Sequence, residues 1–526
     1  MRSDGVLPVE LPDVVREALL APLVDHNCRG VRRDELTRAR FETLLTDAET
    51  PAPPGTTHFD TPAGAAVRRW CAPVLGLAPH VPPAVYLARR AELGAAEVNR
   101  RLLGAAGIST FLFDGSDDSD DSGDSGDSGG EGFGGFEKGP LGGRGDVAGL
   151  GPRGALGALG VLGALNGSRG SEGPGMLDRL DRLDRLERPD RRDRFGGGPG
   201  GGEVLPPAEM GHAGGADTAR VVHIERAEEE VAGTAVSGVS YISALAQKLA
   251  ERAVRAVALK SVTAHRSGRP LEPARPSRGA VIAAATRRLA CPGERLTDQV
   301  LLRHLLWTAI DVAREYGRPL QFHTGPARHA GGTRHGAHPG GRATSGGRGA
   351  YGGHETYGGG GHGGPGAAGG ARGPGPFGGH AGSGWGPDSG PYGVGPAPVA
   401  GFITATQPMG VPVVLLHCHP FHRQAAYLAG ALPHVYVDVG AALTRSATGS
   451  AAVMAELLEL VPFHKQLFGS GGHGVAEACH LGALHYRRGL AGALAARLAD
   501  GEWSTADAAR VAQMIGSGNA RRIYRL

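Results

Sequence analysis

Histidines that directly follow short apolar runs are the residues of this sequence best suited to chemistry. Three segments share this pattern: DHNCRG (residues 25–30), QFHTG (321–325) and LHCHP (416–420). In each, a run of strand length leads into polar side chains, so a strand would fix the imidazoles in place. Because neutral imidazole nitrogens bind zinc, His323 and His417 are candidate metal ligands. His419, two residues further on, is a candidate for substrate contact or for a supplementary metal ligand.

Lys260 is a second kind of candidate, since it lies inside a predicted strand, residues 257–262. Lysine is seldom buried without a partner, so a lysine at this position favours a functional role. Cys28 and Cys418 also follow strand positions, but small buried packing residues are the commoner outcome for such cysteines.

The elements that must position these residues alternate between strands and helices. Strands are predicted at residues 23–25, 108–113, 220–225, 257–262, 319–322, 413–416, 435–439 and 466–468. Helices are predicted at residues 14–23, 37–45, 83–106, 241–255, 301–315, 425–431, 451–460, 476–498 and 505–515. This alternation is typical of βαβ units with a parallel sheet, and about eight units favour a closed (β/α)₈ barrel of the TIM type.

Two low-complexity blocks interrupt the globular pattern. Residues 115–203 hold an acidic run, a Gly-rich run and an LDR repeat, and residues 326–396 are rich in Gly and His. Both have too few apolar residues to offset the entropy of ordering, so they are predicted to be disordered. They divide one barrel into residues 1–114, 204–325 and 397–526. Each block follows a predicted strand, which would place it over the mouth of the site.

Composition excludes several classes of protein. The net charge is +3 with 20% charged residues, which gives no reason to expect nucleic acid or a membrane surface as partner. No apolar run is long enough to span a membrane, and the first residues do not resemble a signal peptide. The five cysteines are widely spaced, which fits a reducing cytoplasm. A small molecule is the expected partner, and the oligomeric state is left open.

Several segments resemble the amidohydrolase superfamily, in particular the amidohydrolase half of nodulin/FluG-type glutamine synthetase fusions. The matching stretches are LVDHNCRGV (23–31), LKSVTAHRSG (259–268), PLQFHTG (319–325), GVPVVLLHCHPFHRQAAYLA (410–429), VYVDVG (435–440) and MIGSGNARRIYRL (514–526). The resemblance implies a metal-dependent hydrolase of the TIM-barrel type, with His323 and His417 as ligands of a divalent metal such as zinc. Lys260 and Arg266 would hold a substrate carboxylate, or Lys260 would be carbamylated and bridge two metals.

Three positions depart from the pattern of that superfamily. The first strand would end in two histidines two residues apart, where this sequence has Asn27 and Arg29. Arginine cannot bind a metal cation, because the guanidinium stays protonated. The eighth strand would carry a metal-binding aspartate, where this sequence has Gly471. The general base is therefore unassigned.

Two main hypotheses follow for function. The first is an impaired metal-dependent hydrolase of amide or lactone bonds, which would use metal to activate water. The second is a pseudoenzyme that keeps the barrel as a binding or scaffolding module. Metal-independent hydrolysis in the same pocket is a third reading. Fold alone does not decide among them.

Overall fold

The structure is a computed structural model that describes residues 6–46, 48, 50–113, 204–264, 270–325, 395–438, 440, 443 and 449–526. The two low-complexity blocks lie outside the described residues, apart from Gly395 and Pro396. Their predicted disorder, and their predicted place over the site, therefore stay predictions.

Seven parallel strands form one sheet, in the order in which they occur along the chain. They are β1 (Leu23–Cys28), β2 (Ile108–Phe113), β3 (Asp217–His223), β4 (Ala258–Ser261), β5 (Leu320–His323), β6 (Val413–Leu416) and β7 (Val435–Val437). Every residue of β4, β5 and β6 is buried, as expected of parallel strands that are covered on both faces.

The predicted strand at residues 466–468 is wrong as a full strand, but this segment lies between the two edges of the sheet. Gln466 forms an isolated parallel bridge with Val437 of β7. On the other side, the amide of His26 in β1 donates to the carbonyl of Phe468 over 3.3 Å. The chain then leaves the extended conformation, since Gly471 has a φ of +62°. Because both edge strands bond to one segment, the sheet is curled.

Helices follow most strands and pack on the outside of the sheet. They are α1 (Asp13–Leu20), α2 (Arg38–Leu44), α3 (Pro62–Ala66), α4 (Ala72–Val74), α5 (Pro83–Ala106), α6 (Pro207–Gly214), α7 (Ile224–Thr234), α8 (Gly238–Val254), α9 (Arg278–Ala290), α10 (Gln299–Tyr316), α11 (Ala397–Ala405), α12 (His422–Ala431), α13 (Ser450–Leu460), α14 (Ala476–Ala499), α15 (Thr505–Gln513) and α16 (Asn519–Tyr524).

Local sequence explains where several of these elements begin and end. The Asp298 side chain caps α10 by accepting from two backbone amides, and Gly317 ends it in the left-handed conformation, φ +61°. The bounds predicted for α5 are confirmed. The strand predicted at 220–225 is wrong at its end, because Ile224 and Glu225 begin α7. A carboxylate in the first turn suits the positive end of a helix dipole, which accounts for the change.

The apolar core has two layers. One lies between the sheet and the outer helices, and the smaller one fills the inside of the curled sheet. The C-terminal helix α16 contributes Ala520, Ile523 and Tyr524 to the inner layer. Full burial of a side chain of the size of Ile523 contributes about 1.5–3 kcal/mol. In the described residues, no helix is both long and apolar enough to cross a membrane.

Candidate functional site

Two histidines lie side by side at the carboxyl ends of neighbouring strands. His323 is the last residue of β5 and His417 directly follows β6, and their ring centroids are 4.8 Å apart. Both side chains are buried. The pairing of β5 with β6 in parallel register brings them together, as the sequence pattern predicts.

The backbone of His417 is held in the left-handed region, with a φ of +57°. Its amide donates to Asp438 Oδ1 over 2.8 Å, which anchors this conformation. Two glycines make room for it: a Cβ on Gly325 would lie 2.7 Å from His417 Cβ, and one on Gly440 would lie 2.5 Å from His417 Nδ1. The imidazole is therefore fixed in position, although the left-handed region is uncommon for histidine.

Asn27 connects His417 to Lys260. Lys260 Nζ donates to Asn27 Oδ1 over 3.1 Å, and Asn27 Nδ2 lies 2.9 Å from His417 Nε2. An ammonium group has donors only, so the amide oxygen must face Lys260 and the amide nitrogen must face His417. Asn27 Nδ2 then donates to His417 Nε2. His417 is consequently neutral in this arrangement, with its proton on Nδ1.

This arrangement does not fit a catalytic zinc site. Nε2 of His417 uses its lone pair to accept from Asn27, and the ammonium of Lys260 lies one amide away. Among the described residues, His, Cys, Asp and Glu side chains nowhere gather in the group of three or more that could hold a metal ion. Catalytic zinc takes three protein ligands. The side chains that are present are joined by hydrogen bonds instead.

Arg29 and Gly471, the other two positions that depart from the superfamily pattern, lie where the segment after residue 468 runs beside β1. The amide of Arg29 donates to the carbonyl of Gly472 over 2.9 Å. Asp25 holds the same segment, since it accepts from the Ser470 amide over 2.9 Å and also from the Ser470 hydroxyl. Burial raises the pKa of Asp25, while the hydrogen bonds from Ser470 oppose that shift. Gly471 is thus next to β1, with no side chain to offer.

A buried polar network that the sequence pattern did not predict lies near these residues. His26 Nε2 and Asp438 Oδ2 approach to 2.7 Å, and His26 Nδ1 lies 2.9 Å from the hydroxyl of Tyr524. Gln321 Nε2 donates to that hydroxyl over 2.9 Å. The Tyr524 hydroxyl, which accepts from Gln321, can donate its own proton to His26 Nδ1. Asp438 in turn holds the amide of His417.

One signal for this network was present in the sequence. Asp438 follows the VYV strand directly, which is the pattern that selected His323 and His417. Tyr524 had no such signal, because it lies near the end of the chain and reaches His26 only through the fold. Burial of the Tyr524 hydroxyl raises its pKa, so it stays protonated at neutral pH.

Glu225 is a second missed residue. It is buried at the start of α7, and its Oε1 accepts from the Ser261 hydroxyl, the Val262 amide and the Thr263 hydroxyl over 2.7, 2.7 and 3.0 Å. These three residues directly follow Lys260. Glu225 thus fixes the end of β4, and so the position of the Lys260 backbone.

The remaining candidates are only partly placed. Arg266 lies outside the described residues. The His419 ring stacks on that of His422, with centroids 5.2 Å apart, and His422 Nε2 lies 2.7 Å from Glu456 Oε2. The structure therefore joins Lys260 and His417 through Asn27, sets His323 beside them, and orients His419 through the start of α12.

One solved structure shares the fold of this chain, and a second is similar at a lower score. A crystal structure described as a "putative metal-dependent hydrolase" from Lactobacillus casei ATCC 334 is similar over 98% of both chains, with a TM-score of 0.60 and 17% identity. Glucuronate isomerase from Caulobacter crescentus is similar over 100% of this chain and 97% of that one, with a TM-score of 0.49 and 11% identity. No family model matches the chain.

One curated relative is similar over a short stretch. Protein fluG of Emericella nidulans is 31% identical over 118 residues, which are 22% of this chain and 14% of fluG. The chain therefore covers a small part of that relative. The likeness to the Lactobacillus casei structure shows a shared fold, and the activity has to be argued from the residues at the strand ends.

Proposed function

We propose that this protein is a (β/α)₈ barrel of the amidohydrolase type that binds a small molecule at its strand ends and does not use metal-dependent hydrolysis. In this proposal the segment at residues 466–468 is the eighth strand. Lys260, Arg266 and His419 contact an anionic group of the bound molecule, for which the Lys260 ammonium supplies a fixed positive charge.

A single observation carries this proposal: the amide of Asn27 lies between Lys260 Nζ and His417 Nε2. A metal on His417 would require the same lone pair, so the hydrogen bond and the metal compete for one atom. Arg29 and Gly471 support the same conclusion, because neither side chain can replace the lost ligands.

A second candidate function is metal-dependent hydrolysis of an amide or lactone bond. The observation that favours it is the pair of rings of His323 and His417, 4.8 Å apart at neighbouring strand ends. For this function a divalent metal such as zinc would have to displace Asn27 from His417 and recruit further ligands.

Restoring the two histidines and the aspartate expected in the superfamily distinguishes between the two candidate functions. We expect the wild-type chain to retain less than one zinc per ten chains after dialysis and to hydrolyse no lactone or amide in a panel. The variant Asn27→His, Arg29→His, Gly471→Asp should gain about one zinc per chain, since it supplies the missing donors. Elemental analysis makes the comparison.

A matched control variant carries Asn27→His, Arg29→His and Gly471→Asn, which has nearly the same shape but lacks the new carboxylate. We expect it to hold zinc more weakly than the aspartate variant. Stoichiometric zinc in the wild-type chain that is lost in His323→Ala would instead establish the metal-dependent reading and reject the metal-free one.

A further inference from the structure

A cavity of about 290 Å³ opens at the other end of the sheet from His323 and His417. It lies where α10 leads into β5, beside the residues that precede β6 and against α16. These are the amino ends of the strands, whereas the site above is built at their carboxyl ends. The residues of the candidate site do not line this cavity.

Four arginines line the cavity: Arg314, Arg318, Arg522 and Arg525. Among the described residues, no acidic side chain lines it. Within the described residues, these arginines contact backbone carbonyls, the Met409 thioether and the Tyr436 ring and hydroxyl. None of these contacts neutralises a guanidinium charge.

Two other surface arginines of this protein are instead paired with carboxylates. Arg100 pairs with Glu97 at 2.7 Å, and Arg275 pairs with Asp311 at 2.5 Å. Four like charges in one cavity repel each other, and repulsion of this kind is reduced when an anion binds among them. The concentration of charge at the cavity is therefore a feature that a bound anion would explain.

Backbone contacts hold two of the cavity arginines in place. Arg522 donates to the His464 carbonyl over 2.6 Å and lies against the Tyr436 ring, 5.7 Å from its centroid. Arg318 donates to the Ala253 carbonyl over 3.3 Å. Because these guanidiniums are already positioned, less side-chain entropy is lost when an anion binds between them.

Gly317 makes room for a third arginine. A Cβ at this position would collide with the guanidinium of Arg525, which therefore lies directly over the end of α10. Arg525 itself has a left-handed backbone, φ +57°. The glycine that ends α10 thus also brings Arg525 to the wall of the cavity.

We propose that this cavity is a binding site for a small anion that carries a diphosphate group. Guanidinium groups match phosphate oxygens in bidentate geometry, and four of them suit a group with two or three negative charges. The volume is at the small end of the range for ligand pockets, about 300–1,000 Å³, which fits a diphosphate or a compact diphosphate ester. Tyr436 adds a hydroxyl at the inner wall.

The test is calorimetric titration of the full-length chain with inorganic pyrophosphate and, separately, with ADP, at constant ionic strength and without divalent metal. We expect one saturable site per chain. The variant Arg522→Gln, Arg525→Gln should weaken binding by about tenfold or more, equivalent to about 1.4 kcal/mol. ADP that binds more tightly than pyrophosphate would assign the site to a diphosphate ester, and the reverse order to inorganic diphosphate.

The control variant Arg278→Gln, Arg521→Gln removes the same charge, and Arg521 lies on α16 next to Arg522 without lining the cavity. It should bind within twofold of wild type. Since Arg522 also contacts backbone, Arg314→Gln provides a second cavity variant at an exposed side chain. Equal loss in the control, no saturable site, or citrate binding as tightly as pyrophosphate would overturn the proposal.

Discussion

Asn27 joins side chains from three parts of the sheet with one amide: its own strand β1, Lys260 on β4 and His417 after β6. Hydrogen bonds to charged groups contribute about 1.5–3 kcal/mol each, more than neutral ones. A buried amide that loses one of these partners would be left with an unsatisfied group. We therefore expect Asn27 and Lys260 to contribute to the free energy of unfolding as a coupled pair.

A double-mutant cycle of Asn27→Leu and Lys260→Met tests this coupling. We expect an interaction energy of about 1.5–3 kcal/mol in the free energy of unfolding, measured in urea. Lys465→Met provides the matched control, because Lys465 is also buried but donates to the carbonyls of Ala429 and Leu432. Additivity within about 0.5 kcal/mol for Asn27 with Lys260 would show that the two residues are independent.

Some of the site could be predicted from single residues and some could not. A histidine after an apolar run is a local signal, and His323 and His417 do lie together. The sequence also indicated that Asn27 is a poor metal ligand. It could not indicate that the amide would occupy His417 Nε2, because that depends on Lys260, 233 residues away in the chain.

At the scale of elements, α14 is buried along most of its length and carries two histidines. Burial lowers the pKa of His480 to about 4 and that of His485 to about 4. In the unfolded chain the pKa of histidine is near 6.5. Between pH 6.5 and 4 the unfolded state therefore binds more protons, so stability is fully present above pH 6.5 and is lost as pH falls.

We expect the free energy of unfolding to fall by about 1–2 kcal/mol per histidine between pH 7.5 and pH 5. The variant His480→Gln, His485→Gln should flatten this part of the curve of stability against pH. His58→Gln, at a partly exposed position, should leave the slope as in wild type. A slope that is the same in all three proteins would contradict the assignment to α14.

The C-terminal helix α16 is the second element with a specific role, since it brings Tyr524 to His26 and Gln321. Tyr524→Phe should lower the free energy of unfolding by about 1–3 kcal/mol, because two buried polar groups lose a partner. Tyr486→Phe is the matched control: its hydroxyl is also buried and has no hydrogen-bond partner among the described residues. Equal effects in the two variants, measured by urea unfolding, would contradict the network.

Many elements could be predicted from periodicity and end signals, but two strand predictions were wrong in part. Several helices were not predicted at all, namely α3, α4, α6, α9, α11 and α16. The VVLL run predicted the bounds of β6, and the helical spacing of apolar residues predicted those of α5. The strand predicted at RVVHIE (220–225) is wrong at its end, because an apolar run followed by Glu225 is compatible with either a strand or the first turn of a helix. The segment QLF (466–468) forms an isolated bridge in place of a full strand, since the glycines after it turn the chain away from the sheet.

For the whole molecule, the curled sheet is built from residues on both sides of the block 115–203, which lies outside the described residues. The two flanks of that block lie on either side of Gly30, where an added Cβ would be 2.5 Å from Val204 Cγ1 and 2.7 Å from Phe113 Cε2. A Gly/Ser linker of about six residues would span this gap. The melting temperature of the shortened chain should stay within about 3 °C of wild type.

Differential scanning calorimetry checks this prediction, with a chain that carries scrambled residues 115–203 as the control. Loss of a cooperative transition in the shortened chain alone would show that the block is needed for folding. Only the composition of this block could be predicted from the sequence, because low apolar content and repeats do not specify contacts.

The central claim is that His417 Nε2 accepts from Asn27 and is not available to metal. The most direct measurement is the ¹⁵N spectrum of histidine-labelled full-length chain, with His417→Asn used to assign the resonances. We expect neutral His417 with its proton on Nδ1, in a spectrum that equimolar zinc does not change. A zinc-dependent shift of Nε2 that disappears in His323→Ala would contradict it, and would make this barrel a metal-binding protein.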